Sequence, residues 1–290
     1  MLDYRRKLFL GVTRIKSVSA DALGHAYEGT GTGFWMCLAS GKNCFITNRH
    51  NVDPSISFPK NSDLRLQTVE IELRRIVQTD DDDTIYDLET RFFELHDDCK
   101  LFVSENSDCA VIMANFKNPS KDFPIHAPFE ESDLATEDFF QSSLTPAHEV
   151  YFIGFASRIS GPSEKSADEL WDTKWNFPIA RSATVASMPF LQFSHASIKW
   201  EDILLVSGMS FSGASGSPVI SREIGFRTKP PARSGGLAIR CEGYVPEKLI
   251  GIMTGHWQSK GDEPDILLHS GLSYITRSTS ILHIIKYNAL

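Results

Sequence analysis

Two features of the sequence predict an all-β chain. About a dozen short apolar stretches are separated by turn residues, and helical periodicity is almost absent before the final residues. The stretches are rich in Val, Ile, Phe and Thr and are bounded by Gly, Pro, Ser, Asn or Asp, a pattern that fits a sandwich or barrels. In chain order they are "KLFLGVTRIKSV", "GTGFWMCLA", "NCFITNRHN", "TVEIELRRIV", "RFFELH", "CAVIMAN", "EVYFIGFA", "PIARSATVASM", "ILLVSGM", "SPVISRE", "EKLIGIMTG" and "GLSYITR". One helix is expected at the end, where Ile281, Leu282, Ile284 and Ile285 share a face and Ser278 or Ser280 can cap the first turn. A weaker helix is expected in "SADELWDTKW". "ISGPSEKSADE" and "RTKPPARSGG" read as exposed loops, and Asp80 to Asp83 as a solvated acidic run without the alternating ligands of a calcium loop.

The chain has 290 residues, enough for one large domain or two modest ones, and a net charge of -8 that argues against a nucleic-acid surface. A basic cluster at Arg227, Lys229, Arg233 and Arg240 reads as a solvated loop. No run approaches the ~18 apolar residues that a membrane span needs, and the first residues lack a signal-peptide pattern. The five cysteines form an odd, scattered set without C-x-x-C, which favours reduced thiols and a cytoplasmic setting. Cys37 and Cys44 can face each other across a hairpin around "ASGKN", which leaves one bridge open. The histidines at positions 25, 96, 126, 148, 195, 269 and 283 show no paired ligand spacing, so neither a metal nor a cofactor is expected. The five tryptophans read as packing residues.

Three stretches carry chemistry together. "FITNRHNV" places His50 just after a buried strand, "ENSDCAVIMAN" places Asp108 at the head of an apolar run, and "SGASGSPVI" places Ser215 in a glycine-flanked turn. An alcohol needs a base within hydrogen-bond reach, and that base needs a partner to orient it. Histidine suits the base role because its pKa lies near operating pH, and a carboxylate on its other nitrogen fixes the tautomer. Gly213 and Gly216 can take backbone angles closed to other residues and aim Ser215 outward. The amides of Gly213 and Ser215 can then converge on a developing oxyanion, where losing one donor costs about 3 kcal/mol. Singly these residues read as a strand-end histidine, a turn aspartate and a loop serine; it is their combination that points to catalysis.

"TNRH", "SDCAVIM" and "GASGSPV" resemble the three motifs of the trypsin-like (chymotrypsin-fold) serine proteases, in that family's order of His, Asp and Ser. "EGTGTGFWM", "EVYFIGFA", "ARSATVAS", "KLIGIMTG" and "GLSYITRSTSILHII" resemble its flanking strands and terminal helix, and favour the HtrA-like branch without a PDZ domain. The resemblance implies two six-stranded antiparallel β-barrels in a single peptidase domain over 1–290. The first barrel would span about 1–125 and the second 145–277, with a helix over 278–290. It implies His50 as base, Asp108 as orienter, Ser215 as nucleophile, and Gly213 and Ser215 as oxyanion donors with Ala214 as a third. The implied pocket is Met209, Ser210, Met253, Thr254, His256 and Gly271.

Ala214 stands where trypsin has Asp, so the zymogen switch that uses that Asp is not expected, and neither a pro-segment nor a PDZ domain is seen. Ser217 replaces the family's second Gly, as in glutamyl endopeptidases and some viral proteases. No Asp lies at the pocket base, so a mid-sized apolar or polar residue fits the cleavage site better than Arg or Lys. His256 is a candidate to recognise an acidic or amide side chain, as pocket histidines do in related subfamilies, although it stands a few residues from their position. The expected function is a serine endopeptidase acting on protein or peptide substrates through an acyl-enzyme. Latency until an activating protein partner orders the loop is compatible with it, and neither nucleic acid nor membrane is expected as a partner. The alternatives are a non-catalytic peptide-binding or scaffold module and an α/β-hydrolase. The second fits poorly, because His50 precedes the serine and Ser217 breaks the Gly-x-Ser-x-Gly elbow.

Overall fold

The computed structural model describes residues 4–59, 63–78, 86–94, 99–113, 125–158, 168–169, 172, 176–195, 198–225, 244–260 and 267–290. After a short helix, α1 (Tyr4–Gly11), come β1 (Val12–Ala20), β2 (Ala26–Cys37) and β3 (Asn43–Thr47). A 3-10 turn, Arg49–Asn51, and α2 (Pro54–Ser57) lead to β4 (Arg65–Gln78), β5 (Tyr86–Glu94), β6 (Lys100–Val103), β7 (Ala110–Met113) and β8 (Phe129–Glu130). The second half holds α3 (Glu137–Ser142), β9 (Glu149–Gly154), the ribbon β10 (Ser157–Arg158) and β11 (Asp168–Glu169), and β12 (Ile179–Val185). It continues with β13 (Ile203–Ser207), β14 (Pro218–Ser221), β15 (Lys248–Lys260), β16 (Leu267–Arg277) and the terminal helix α4 (Ser278–Tyr287).

The predicted all-β architecture is present. β12, β13, β16, β15, β14 and β9 close into a six-stranded barrel of antiparallel pairs. The first half forms a curled sheet in the order β5-β4-β1-β2-β3-β7-β6, with β8 parallel to β2. Among the described residues this sheet does not close. β4 pairs with β1 near its start and with β5 along the rest of its 14 residues, so a hairpin extends one edge.

Continuous apolar runs arise because alternate residues of one strand enter different cores. On β2, Phe34 and Met36 face a core shared with the barrel and α4, while Trp35 faces the hollow of the first sheet. On β3, Cys44 and Ile46 join the shared core and Phe45 the hollow. Val150, Phe152, Leu204, Val206, Val219, Ile250 and Ile275 fill the barrel. Ile281, Ile284 and Ile285 of α4 pack on the shared core, as their spacing predicted. Full burial of each such side chain contributes about 1.5–3 kcal/mol, so α4 is held by packing rather than by propensity.

Local structure departs from expectation in three places. "KLFLGVTRIKSV" is split, helical to Gly11 and extended from Val12, with Arg74 Nη1 donating to the carbonyls of Phe9 and Val12 at the junction. The α4 cap is not a serine of the helix. Asp202, just before the neighbouring strand β13, accepts the hydroxyls of Thr279 and Ser280, which puts a carboxylate at the helix start. Where "SADELWDTKW" is described, at residues 168–169 and 172, it pairs in extended form rather than as a helix. The acidic run, the basic cluster, Cys241, Trp171 and Trp175 lie outside the described residues. Among the described residues no helix is long and apolar enough to cross a membrane.

Cys37 and Cys44 are free thiols, offset on the hairpin so that Cys37 pairs with Asn43 and Cys44 with Met36. Burial pushes the Cys44 thiol up to about 12, with Cys37 adding to it, and lifts Cys109 well above its usual value. Native protein is therefore expected to alkylate at half-buried Cys37 long before Cys44 and Cys109, which react only on unfolding. Peptide mapping after timed iodoacetamide exposure checks this order.

Candidate active site

β3 and β7 are antiparallel neighbours with Thr47 opposite Ala110. The residues after β3 and those before β7 therefore meet at one end of the sheet. This brings His50, in the 3-10 turn, against Asp108. His50 Nδ1 lies 2.6 Å from Asp108 Oδ2, and the His50 amide donates to Asp108 Oδ1 at 2.9 Å. The carboxylate is buried, with a side-chain exposure of 1%, so both its oxygens are used within the protein. An ionised carboxylate only accepts, so this contact places a ring proton on Nδ1, and in the neutral ring Nε2 is then the acceptor. Asn48 Nδ2 donates to the Asp108 carbonyl at 2.8 Å, and Ser57 donates to the His50 carbonyl, so both backbones are fixed.

Ser215 lies between two turns. The Ala214 amide donates to the Phe211 carbonyl and the Ser217 amide to the Ala214 carbonyl, at 3.1 and 3.0 Å. Gly213 has φ +82 and Gly216 φ +90, while Ser212 and Ser215 are not at positive φ. A single positive φ at the third residue makes each a type II turn, and two consecutive type II turns explain both glycines. A side chain on Gly216 would also put its Cβ 1.8 Å from the Thr32 carbonyl oxygen.

The other backbone groups of the turns are tied down. Thr32 Oγ1 donates to the Gly213 carbonyl at 2.7 Å, and the Ser215 carbonyl accepts from the Thr32 amide and Asn51 Nδ2 at 2.8 and 3.1 Å. The Gly216 amide donates to the Met253 carbonyl at 2.8 Å, and the Met253 amide to the Ser217 carbonyl at 2.9 Å. Among the described residues the amides of Gly213 and Ser215 have no acceptor, so the two expected oxyanion donors are the two left over. The Ala214 amide is engaged by Phe211 and is not available as a third. Ser215 Oγ donates to the Thr254 carbonyl at 3.4 Å, and no hydrogen bond links it to His50 among the described residues.

Beside Ser215 lies a cleft of about 370 Å³ lined by Ser210, Phe211, Ser212, Ser215, Met253, Gly255, His256 and Tyr274. Of the expected pocket residues, Ser210, Met253 and His256 line it. Met209 is exposed and Thr254 is buried, bonded to Thr276 Oγ1 at 2.8 Å. Gly271 stands behind, its amide donating to His269 Nδ1 at 2.8 Å. His269, which sequence reasoning set aside, stacks on His256 with ring centres 4.6 Å apart and 18° between planes. Burial lowers the pKa of both rings below 6.5, and His269 lowers His256 further. Burial and Asp108 raise Tyr274. Among the described residues no cluster of His, Cys, Asp and Glu is arranged to hold a metal.

Sequence reasoning also missed Thr32, Asn48 and Asn51. The available signal was "GTGTG": Gly31 lies where a Cβ would sit 2.4 Å from the Asn51 amide nitrogen, so that strand is thinned to admit a second element.

No family model matches the chain, and neither does any curated protein. Solved structures are similar in fold. The MamO protease domain from Magnetospirillum magneticum (apo form) is 12% identical, covers 92% of this chain and 93% of its own, and has a TM-score of 0.43. Deg5 is 14% identical over 98% of this chain and 91% of its own, with a TM-score of 0.47. The HtrA-type protease AlgWS227A with decapeptide is 10% identical over 99% of this chain and 67% of its own, with a TM-score of 0.49. These likenesses concern the fold, and the reading of the site rests on its own geometry.

Thr32→Val removes the hydroxyl and leaves the buried Gly213 carbonyl and Phe155 amide unpaired, so a stability loss of about 2 kcal/mol or more is expected from urea midpoints. The lowered histidines set a pH dependence. The unfolded chain takes up these protons first, so stability present above pH 6.5 is lost as pH falls from 6.5 through the lower folded values. His269→Gln should flatten that loss, measured by denaturation at about pH 7.5 and about pH 5.5.

Proposed function

We propose that the chain is a serine endopeptidase with His50 as base, Asp108 as orienter and Ser215 as nucleophile. One observation carries this reading. The buried Asp108 carboxylate holds His50 Nδ1 at 2.6 Å, while the amides of Gly213 and Ser215 are left without an acceptor among the described residues. Ser215 Oγ leaves the Thr254 carbonyl, gives its proton to His50 Nε2 and bonds to the scissile carbonyl carbon. The carbonyl oxygen takes the negative charge and receives the Gly213 and Ser215 amides. His50 then protonates the leaving amine, and water, deprotonated by His50, hydrolyses the ester and restores the serine. Asp108 keeps the imidazolium paired throughout, and its burial makes that pairing stronger than it would be in water.

The 3.4 Å contact of Ser215 Oγ with Thr254 favours a second, compatible reading, in which the resting enzyme needs a small serine reorientation supplied by substrate or by a protein partner. The two free amides do not require the turn itself to be rebuilt.

A fluorophosphonate probe read by intact mass should give a single adduct that Ser215→Ala abolishes without changing the melting temperature. Peptide cleavage that persists in Ser215→Ala would sink the assignment. Asp108→Asn is expected to cut the rate by about four orders of magnitude, because the base is left in the wrong tautomer; a loss below about tenfold would remove Asp108 from the role.

A further inference from the structure

Behind one wall of the cleft beside Ser215 stands a positive charge that has no counter-charge among the described residues. Arg181, on β12, places its guanidinium over the Phe211 ring at 4.6 Å, and Phe211 lines the cleft. Its Nη1 is buried and has no hydrogen-bond partner among the described residues, and burial alone depresses its pKa, with no carboxylate opposing it. Among the described residues the other buried or half-buried arginines are paired. Arg14 and Arg74 each meet Glu72 at 3.2 Å, Arg49 meets Asp53 at 2.9 Å, and Arg277 meets Glu137 at 3.4 Å. A half-buried guanidinium without an anion is costly, and an anionic group bound in the cleft would offset part of that cost.

The cleft walls fit the same ligand. They contain hydroxyls and an imidazole but no carboxylate. The His256 ring is backed by His269, whose Nε2 lies 3.2 Å from the Ser210 amide nitrogen. Ser210 is itself buried, with Ser273 Oγ 3.0 Å from its hydroxyl. A basic side chain entering here would meet like charge, and an apolar one would leave the guanidinium uncompensated. A carboxylate gains the Coulomb term in a partly desolvated site, where it is stronger than in water.

We propose that this cleft receives the side chain on the acyl side of the scissile bond and selects an acidic one, Glu or Asp, with Arg181 as the counter-charge acting across Phe211. The inference rests on the serine-protease reading and replaces the mid-sized apolar or polar residue expected from sequence. Arg181 is a specificity residue; it takes no part in the chemical steps.

The test is equilibrium binding of peptides of identical sequence ending in Glu, Gln or Leu to the full chain carrying Ser215→Ala, with and without Arg181→Met or Arg181→Lys. Glu should bind about tenfold or more tighter than Gln or Leu, the ratio should fall within about threefold in Arg181→Met, and Arg181→Lys should keep most of it. Equal binding of the three, no binding by any, or a Glu preference unchanged in Arg181→Met overturns the proposal. If Arg181→Met does not fold, the Glu-to-Gln ratio with Arg181 intact still decides. Fluorophosphonate labelling of the unaltered chain runs alongside. Labelling without Glu selectivity rejects the acidic cleft but keeps the protease, whereas Arg181-dependent Glu selectivity without labelling supports the cleft and rejects the catalytic reading.

Discussion

Thr32 Oγ1 accepts the Phe155 amide at the end of β9 and donates to the Gly213 carbonyl in the serine turn, while the Thr32 amide donates to the Ser215 carbonyl. Its own carbonyl accepts Thr47 Oγ1 at the end of β3, three residues before His50. One residue of the first sheet thus sets the distance between the half that carries His50 and Asp108 and the half that carries Ser215. The approach is close enough that Gly216 has no room for a side chain. Because these groups are buried, each unmade bond would cost about 1–3 kcal/mol, so the junction has little freedom to slide.

A second contact between the halves works by charge. Glu72, fully buried on β4, is bonded by Arg14, Arg74 and Asn176, and both arginines lie over the Phe155 ring at 5.7 and 4.8 Å. Phe155 is therefore held through its amide by Thr32 and through its ring by the arginines. A buried ion network of this kind is a poor source of net stability but is costly to break singly, so it fixes one relative placement of the two sheets. Asp202 does the same for the barrel and its helix, joining Arg277, Thr279 and Ser280.

Much of this was legible in the sequence. Strands with both faces buried announce themselves as unbroken apolar runs, and "GFWMC" and "CAVIM" did so. His50, Asp108 and Ser215 stand out in the sequence because each lies beside a strand end with a distinctive neighbour, and the glycines at 213 and 216 because a type II turn needs positive φ at its third residue. Residues 7–11 read as extended in the sequence because their apolar content suits either state, and the choice was made by contacts with Arg74 on β4, more than sixty residues away. The open first sheet was not legible either, since closure depends on which strand edges meet.

What the sequence determined by itself was the strand content, the terminal helix, the strand-end placing of His50 and Asp108, and the bend at Ser215. These follow from local sterics, periodicity and functional-group chemistry. Only the tertiary structure decided which amides stay free for an oxyanion, and that Thr32, Asn48 and Asn51 hold the site. Only it placed His269 behind His256 and Arg181 behind Phe211, with no anion on Arg181 among the described residues. The reason is physical: whether a polar group is paired depends on partners brought in from distant segments, and one chain position carries no record of which groups will be within 3 Å of it once buried.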